Sequence, residues 1–156
     1  MKFKILAIGQ KMPSWVAIGF EEYRKRMPRE CSVEMVELAS AKRTKQADVQ
    51  KIIAAEGQRL LSNIKSADFV IALEVTGKQW STAELAKKLE SWQGVQHNIS
   101  ILIGGPDGLS ADCLKRANEK WSLSALTFPH PLVRVILAEQ LYRGWSLMNN
   151  HPYHRE

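Results

Sequence analysis

Residues 99–108, Ile-Ser-Ile-Leu-Ile-Gly-Gly-Pro-Asp-Gly, constrain the fold of this chain more than any other stretch. A short apolar run rich in β-branched residues, closed by glycines and a proline, has the pattern of a buried parallel strand that ends in a sharp turn. Open α/β sheets bind ligands at that end of their strands. Glycine at 104 and 105 lets a ligand approach the backbone with no Cβ in the way. The spacing of Gly104, Gly105 and Gly108 is not the dinucleotide fingerprint, and no lysine follows to complete a phosphate loop.

A second stretch narrows the reading. Residues 121–134, Trp-Ser-Leu-Ser-Ala-Leu-Thr-Phe-Pro-His-Pro-Leu-Val-Arg, predict a short strand over 121–125, then a loop of backbone polar groups, then a helix opened by Pro131. Two such loops at one end of one sheet make a pocket.

The rest of the chain alternates in the same way. Strands are expected over 2–8, 32–38, 68–73 and 98–103. Helices are expected over 14–27 with Ser14 as cap and Pro28 as stop, over 48–64 with Val49 on the apolar side, over 81–92, over 110–118 and over 131–148. Ser81 and Glu84 have the spacing of a capping box. Residues 74–78 read as a loop leaving the sheet at the same end as Gly104, and residues 39–45 as a small, polar, basic and mobile segment. The expected fold is α/β: one domain, 1–156, with a mostly parallel sheet and helices on both faces. The last helix carries Leu132, Val133, Val135, Ile136, Leu137, Leu141, Tyr142, Trp145, Leu147 and Met148, apolar on more than one face. A second copy of the chain is the expected cover, giving a two-fold dimer. Trp15, Trp80, Trp92 and Trp145 are assigned to core or interface, and His97 to a surface loop.

Composition excludes several classes. Hydrophobic residues at 45% and charged residues at 24% suit a soluble globular protein. No apolar run has the length of a membrane span, and residues 1–10 lack a signal core and cleavage site. Cys31 and Cys113 show no ligand spacing and read as reduced thiols of a cytoplasmic protein, and no metal cluster is expected. The net charge of +6 is uneven: residues 1–60 hold 12 Lys/Arg against 7 Asp/Glu. The excess lies in Arg24, Lys25, Arg26 and Arg29, and in Lys42, Arg43 and Lys45. A polyanion partner and a solvated helix end are the two readings of such clusters.

Four motifs in order carry a resemblance over the whole chain: Leu102-Ile103-Gly104-Gly105-Pro106-Asp107-Gly108-Leu109, Trp121-Ser122-Leu123-Ser124-Ala125-Leu126-Thr127, Pro129-His130-Pro131-Leu132-Val133-Arg134 and Asn150-His151-Pro152-Tyr153-His154-Arg155-Glu156. The chain resembles the RlmH family of ribosomal large-subunit pseudouridine methyltransferases, minimal members of the SPOUT (knotted) methyltransferases. The resemblance implies a trefoil knot in the C-terminal half, a homodimer, S-adenosylmethionine as methyl donor, and N3 of a pseudouridine in 23S rRNA as acceptor. It also implies a cofactor site at Leu73, Gly104, Leu123, Ser124, Ala125, Leu126, Thr127 and Phe128.

Methyl transfer to N3 requires that the N3 proton leave, so a base or a group stabilising the deprotonated ring is needed. His130, Tyr153, His154 and Arg155 are the catalytic candidates. His130 can equally be a loop or cap residue. The tail can fray, or its aromatic and cationic side chains can stack on bases and contact phosphates. Three classes stay open on the residues alone: an rRNA methyltransferase, a non-catalytic basic RNA-binding or ribosome-associated factor, and an α/β enzyme using another nucleotide.

Overall fold

The computed structural model describes residues 1–95 and 98–155. His97, Glu156 and the side chain of Arg155 lie outside the described residues. The elements are β1 (Lys2–Ile8), α1 (Ser14–Arg24), β2 (Ser32–Leu38), α2 (Val49–Leu61), β3 (Phe69–Gln79), α3 (Thr82–Gln93), β4 (Asn98–Ile103), α4 (Ala111–Arg116), β5 (Glu119–Ser122) and α5 (His130–Met148). Single 3-10 turns cover Arg29–Cys31 and Pro152–Arg155. The strands form one parallel sheet in the order β2-β1-β4-β3-β5.

Strand alternation divides the interior in two. Phe3, Ile5, Ala7, Ile71, Ile99, Ile101 and Ile103 join the layer that holds Leu85 and Leu89 of α3 and Leu137 and Leu141 of α5. Leu6, Ile8, Val70 and Leu102 point the other way, onto Leu60 of α2 and Cys113 of α4. Helices α1, α3 and α5 therefore cover one face, and α2 and α4 the other. Helix α5 lies in the middle of its layer. Gly144 lets it come close to α3, since a Cβ there would sit 2.6 Å from Leu89.

Several boundaries differ from expectation for identifiable reasons. Helix α1 is capped by Pro13, not Ser14, with no side-chain cap bond. It ends at Arg24, and residues 25–27 continue only as turns. Its Trp15 and Ile18 are 50% and 71% exposed, so Trp15 is no core residue of this chain. Asp48 caps α2 by accepting from Gln50 N–H, which leaves Val49 47% exposed in the first turn, and the helix ends at Leu61. Ser81 and Glu84 form the capping box of α3.

Residues 74–78 are not a simple loop. They belong to β3, which pairs with Trp121 at Leu73, bulges outward, and pairs with Trp121 again at Lys78. Gly77 allows the return, because a Cβ there would lie 2.8 Å from the backbone of Lys120 and Trp121. Strand β5 spans 119–122 instead of 121–125. The alternation of serine with leucine beyond Ser122 looks strand-like, but both serine hydroxyls bond to their own loop. Ser122 Oγ donates to Ser124 C=O at 2.9 Å, and Ser124 Oγ accepts from Leu126 N–H at 3.0 Å.

The segment 39–45 is tied to α2 at Ala41 and Arg43. Ala41 N–H and the Arg43 guanidinium both bond to Glu56.

Candidate active site

A cleft of about 260 Å³ opens at the carboxyl ends of β3, β4 and β5. Its first wall is the loop after β4. Gly108 N–H donates to Gly105 C=O at 3.0 Å, with Pro106 as the second residue of the turn and Gly108 at φ +88°. A Cβ on Gly104 would meet the backbone of Gly108 and Leu109 at 2.7–3.0 Å. Glycine at 104 is thus required by the closure of the loop on itself, and not only by the room a ligand needs. The second wall is the β3 bulge with Glu74 and Val75. The third is the run after β5, with Leu123, Ser124, Leu126, Thr127 and Phe128; Val133 of α5 lines the cleft as well.

Leu73, Gly104, Leu123, Ser124, Leu126, Thr127 and Phe128 all line this cleft. Ala125 lies exposed in the same run after β5 but does not line the cleft. Sequence reasoning did not single out Glu74, Val75, Ile103, Trp121 or Val133. Glu74 was the findable one, as the first polar residue after the apolar run that ends at Leu73. It is the only ionisable side chain among the described lining residues. Val75 and Leu126, on two of the walls, are 66% and 70% exposed.

His130 stands beside the cleft, at the first residue of α5, but does not line it. It faces Arg134, one turn further on. The Arg134 side chain is fully buried; it pairs with Glu37 and donates to Gly9 C=O at 2.8 Å and Ile8 C=O at 3.3 Å. Its Nη2 and Nε lie 3.1 and 3.3 Å from His130 Nε2. Burial first, and the Arg134 charge second, push the His130 imidazole below its ordinary value, so it is neutral at neutral pH.

The tail lies elsewhere. Helix α5 has 19 residues, and at about 1.5 Å each it carries the chain about 28 Å from its start. The 3-10 turn Pro152–Arg155 then folds back on the same helix. Tyr153 OH donates to Glu139 Oε1 at 2.9 Å, and its ring lies 4.7 Å from that of Tyr142. Burial and the Glu139 carboxylate hold the Tyr153 hydroxyl well above the ordinary tyrosine range, so it stays protonated. His154 Nδ1 is buried with no hydrogen-bond partner. Neither Tyr153 nor His154 lines the cleft of its own chain.

A family model described as "Predicted SPOUT methyltransferase" matches residues 1–154. The chain belongs to the SPOUT methyltransferases. This SPOUT methyltransferase is 54% identical to the "Ribosomal RNA large subunit methyltransferase H" of Methylococcus capsulatus and to that of Marinomonas sp., in each case over 99% of this chain and 100% of the relative. It is 51% identical to the protein of the same name from Hahella chejuensis, over the full length of both. Membership in a methyltransferase family implies a methyl donor.

The basic clusters of this SPOUT methyltransferase are largely paired internally. Arg24 bonds to Glu21, and Lys25 and Arg26 to Glu22, along the end of α1. Arg43 is committed to Glu56 and Asp107. Among the described residues, no group of His, Cys, Asp and Glu could hold a metal ion, and no helix is long and apolar enough to cross a membrane.

Proposed function

We propose that this chain is a single-domain cytoplasmic enzyme that transfers a methyl group from S-adenosylmethionine to N3 of a pseudouridine in 23S rRNA of the large ribosomal subunit, working as a homodimer. The observation that carries the reading is the cleft: two loops and the β3 bulge at one sheet end, apolar walls, backbone polar groups and one carboxylate. The names of the full-length relatives support the ribosomal RNA of the large subunit as substrate.

The lining fits the donor's chemistry. Leu73, Leu123 and Phe128 give a flat heterocycle apolar walls, while backbone groups of 123–128 can read its edges. Glu74 offers negative charge to a cationic ligand, and Gly104 presents backbone with no side chain. Val75 and Leu126, exposed large apolar side chains at the cleft, gain cover when it is filled. Bound there, S-adenosylmethionine supplies a methyl group already activated on a sulfonium.

The remaining work is alignment and removal of the N3 proton. While Arg134 donates to His130 Nε2, the neutral imidazole carries its hydrogen on Nδ1. His130 is then a donor suited to stabilise the deprotonated ring. Tyr153, held protonated with its hydrogen on Glu139, cannot serve as the base, which leaves His154 as the proton acceptor and Arg155 for phosphate contact. These tail residues act in the cleft of the partner subunit, a reading supported by the absence of Tyr153 and His154 from the lining of their own cleft. Trp15 and Ile18 on α1, with Leu132 at 36% exposure on α5, supply the apolar surface for dimerisation. Helices α1 and α5 pack side by side, since a Cβ on Gly19 would lie 3.2 Å from Val135.

Calorimetric titration with S-adenosylmethionine tests the reading. Saturable one-to-one binding per chain is expected. Ribosomal RNA binding with no donor binding would instead identify a non-catalytic RNA-binding factor.

A further inference from the structure

Glu56 lies in the middle of α2, is 1% exposed, and has no place in the chemistry above. A buried carboxylate persists only when it is paired and hydrogen-bonded. Glu56 is fully engaged. Its Oε2 accepts from Arg43 Nη1 at 3.0 Å and from Ala41 N–H at 3.0 Å, and its Oε1 accepts from Arg43 Nη2 at 3.0 Å. Arg43 Nη1 also donates to Ala41 C=O at 3.2 Å, and Arg43 Nε donates to Asp107 Oδ2 at 3.1 Å. Asp107 stands at the tip of the loop that forms the first wall of the cleft.

The contact with that loop is made twice. A Cβ on Gly105 would lie 2.8 Å from Glu56 Oε1 and 3.2 Å from Arg43 Nη2, so the ion pair sits directly against the loop backbone. Gly105, Pro106 and Gly108 line the cleft while Asp107 does not. The loop therefore shows one side to the cleft and is held by the other.

We propose that Glu56 and Arg43 are positioning residues that fix the loop 104–109 in the shape that binds the methyl donor. The assignment rests on the function proposed above. A loop with three glycines has wide backbone freedom, and its own turn supplies one hydrogen bond to restrain it. A bidentate guanidinium–carboxylate pair adds strength and direction together. When the pair is lost, the loop spends less time in the competent shape, and apparent donor affinity falls by that fraction. The effect belongs to the donor, because neither Glu56 nor Arg43 lines the cleft.

The test uses the full-length variants Glu56→Gln, Arg43→Lys and Asp107→Asn, with S-adenosylmethionine binding by calorimetry and steady-state methylation of ribosomal RNA. For Glu56→Gln and Arg43→Lys, donor Kd and donor KM are expected to rise roughly tenfold or more, as for loss of a charge-assisted hydrogen bond. Donor KM should rise by a larger factor than kcat falls, and KM for the RNA should stay within about twofold. Asp107→Asn, which loses only the exposed arm, should show a smaller rise in the same direction. If Glu56→Gln does not fold, the partly exposed Arg43→Lys carries the test. Unchanged donor Kd in folded Arg43→Lys overturns the assignment, as does an equal loss in donor KM, RNA KM and melting temperature. Wild-type protein that binds no S-adenosylmethionine overturns the proposed function and this assignment with it. Wild-type binding alongside unaffected variants overturns this assignment alone.

Discussion

Replacing Gly104 by alanine separates loop shape from ligand space at the centre of the cleft. The added Cβ would sit 2.7 Å from Gly108 C, 2.8 Å from Gly108 O and 3.0 Å from Leu109 N. Ordinary contact starts near 3.4 Å, so the backbone of 108–109 must retreat by about 0.7 Å. No flexible side chain is there to absorb the shift. Overpacking of this kind costs about 1–3 kcal/mol. A cost of about 2 kcal/mol lowers Tm by about 4–8 °C in a chain of this length. Misplacement of a binding element by about 1 Å can cost roughly a hundredfold in rate, so donor affinity should fall at least tenfold. Gly144→Ala is the control. Its Cβ would lie 2.6 Å from Leu89 and overpack α5 against α3, at a similar cost of about 1–3 kcal/mol, and Gly144 does not line the cleft. The two variants should lose similar stability, while only Gly104→Ala loses most of its donor affinity. Thermal melts and calorimetric titration with S-adenosylmethionine read both quantities. A Gly104→Ala protein with wild-type Kd, or a Gly144→Ala protein that binds the donor more weakly than it, refutes the reasoning.

Three further outcomes are expected. Ile18→Asp should give a folded monomer, because Ile18 is 71% exposed in the single chain; Leu141, at 0%, is a core position whose charge variant unfolds instead. Light scattering at micromolar concentration checks this, and a monomeric wild type ends the dimer model. His130 titrates below its ordinary 6.5 in the folded chain, so the unfolded chain binds more protons there and stability falls as pH drops below about 6.5. His130→Gln keeps an acceptor for Arg134 and should flatten the fall in Tm between pH 7 and 5; an unchanged slope would show that His130 does not carry it. Mixing a chain lacking residues 153–156 with a Gly104→Val chain should restore methyl transfer, since an intact tail and an intact cleft then sit on opposite chains. Inactive heterodimers from folded, dimeric parents would place each tail at its own cleft.

The parts of the fold legible in the sequence are those with a strong period or a local signal. Lys2–Ile8, Ser32–Leu38 and Asn98–Ile103 follow from apolar pattern, and α3 from the Ser81–Glu84 box. The misread segments are those where a distant partner decides. Gly77 looks like a turn residue, yet its lack of a side chain is what lets the strand return against Trp121. Ser122 and Ser124 alternate like strand residues but bond to their own loop. Residues 39–45 have the composition of a mobile segment, and no local pattern reveals that Arg43 meets Glu56 and Asp107. The cleft is legible because a glycine-bearing loop ends β4 and a serine-bearing loop ends β5, the strands on either side of β3. Glu74 is harder to read, because residues 74–78 have the composition of a loop leaving the sheet while the chain bulges and returns to Trp121. The burial of Arg134, one of several polar residues on α5, has no signal in the sequence beyond the residue itself.

The central claim is methyl transfer to one base. Wild-type protein is incubated with methyl-labelled S-adenosylmethionine and ribosomes from a strain lacking this gene, and the RNA is digested and its nucleosides resolved by mass spectrometry. The account predicts label in the large-subunit RNA as a single N3-methylated pseudouridine. Label on another base or in the small-subunit RNA, or no label from a protein that binds the donor, contradicts it.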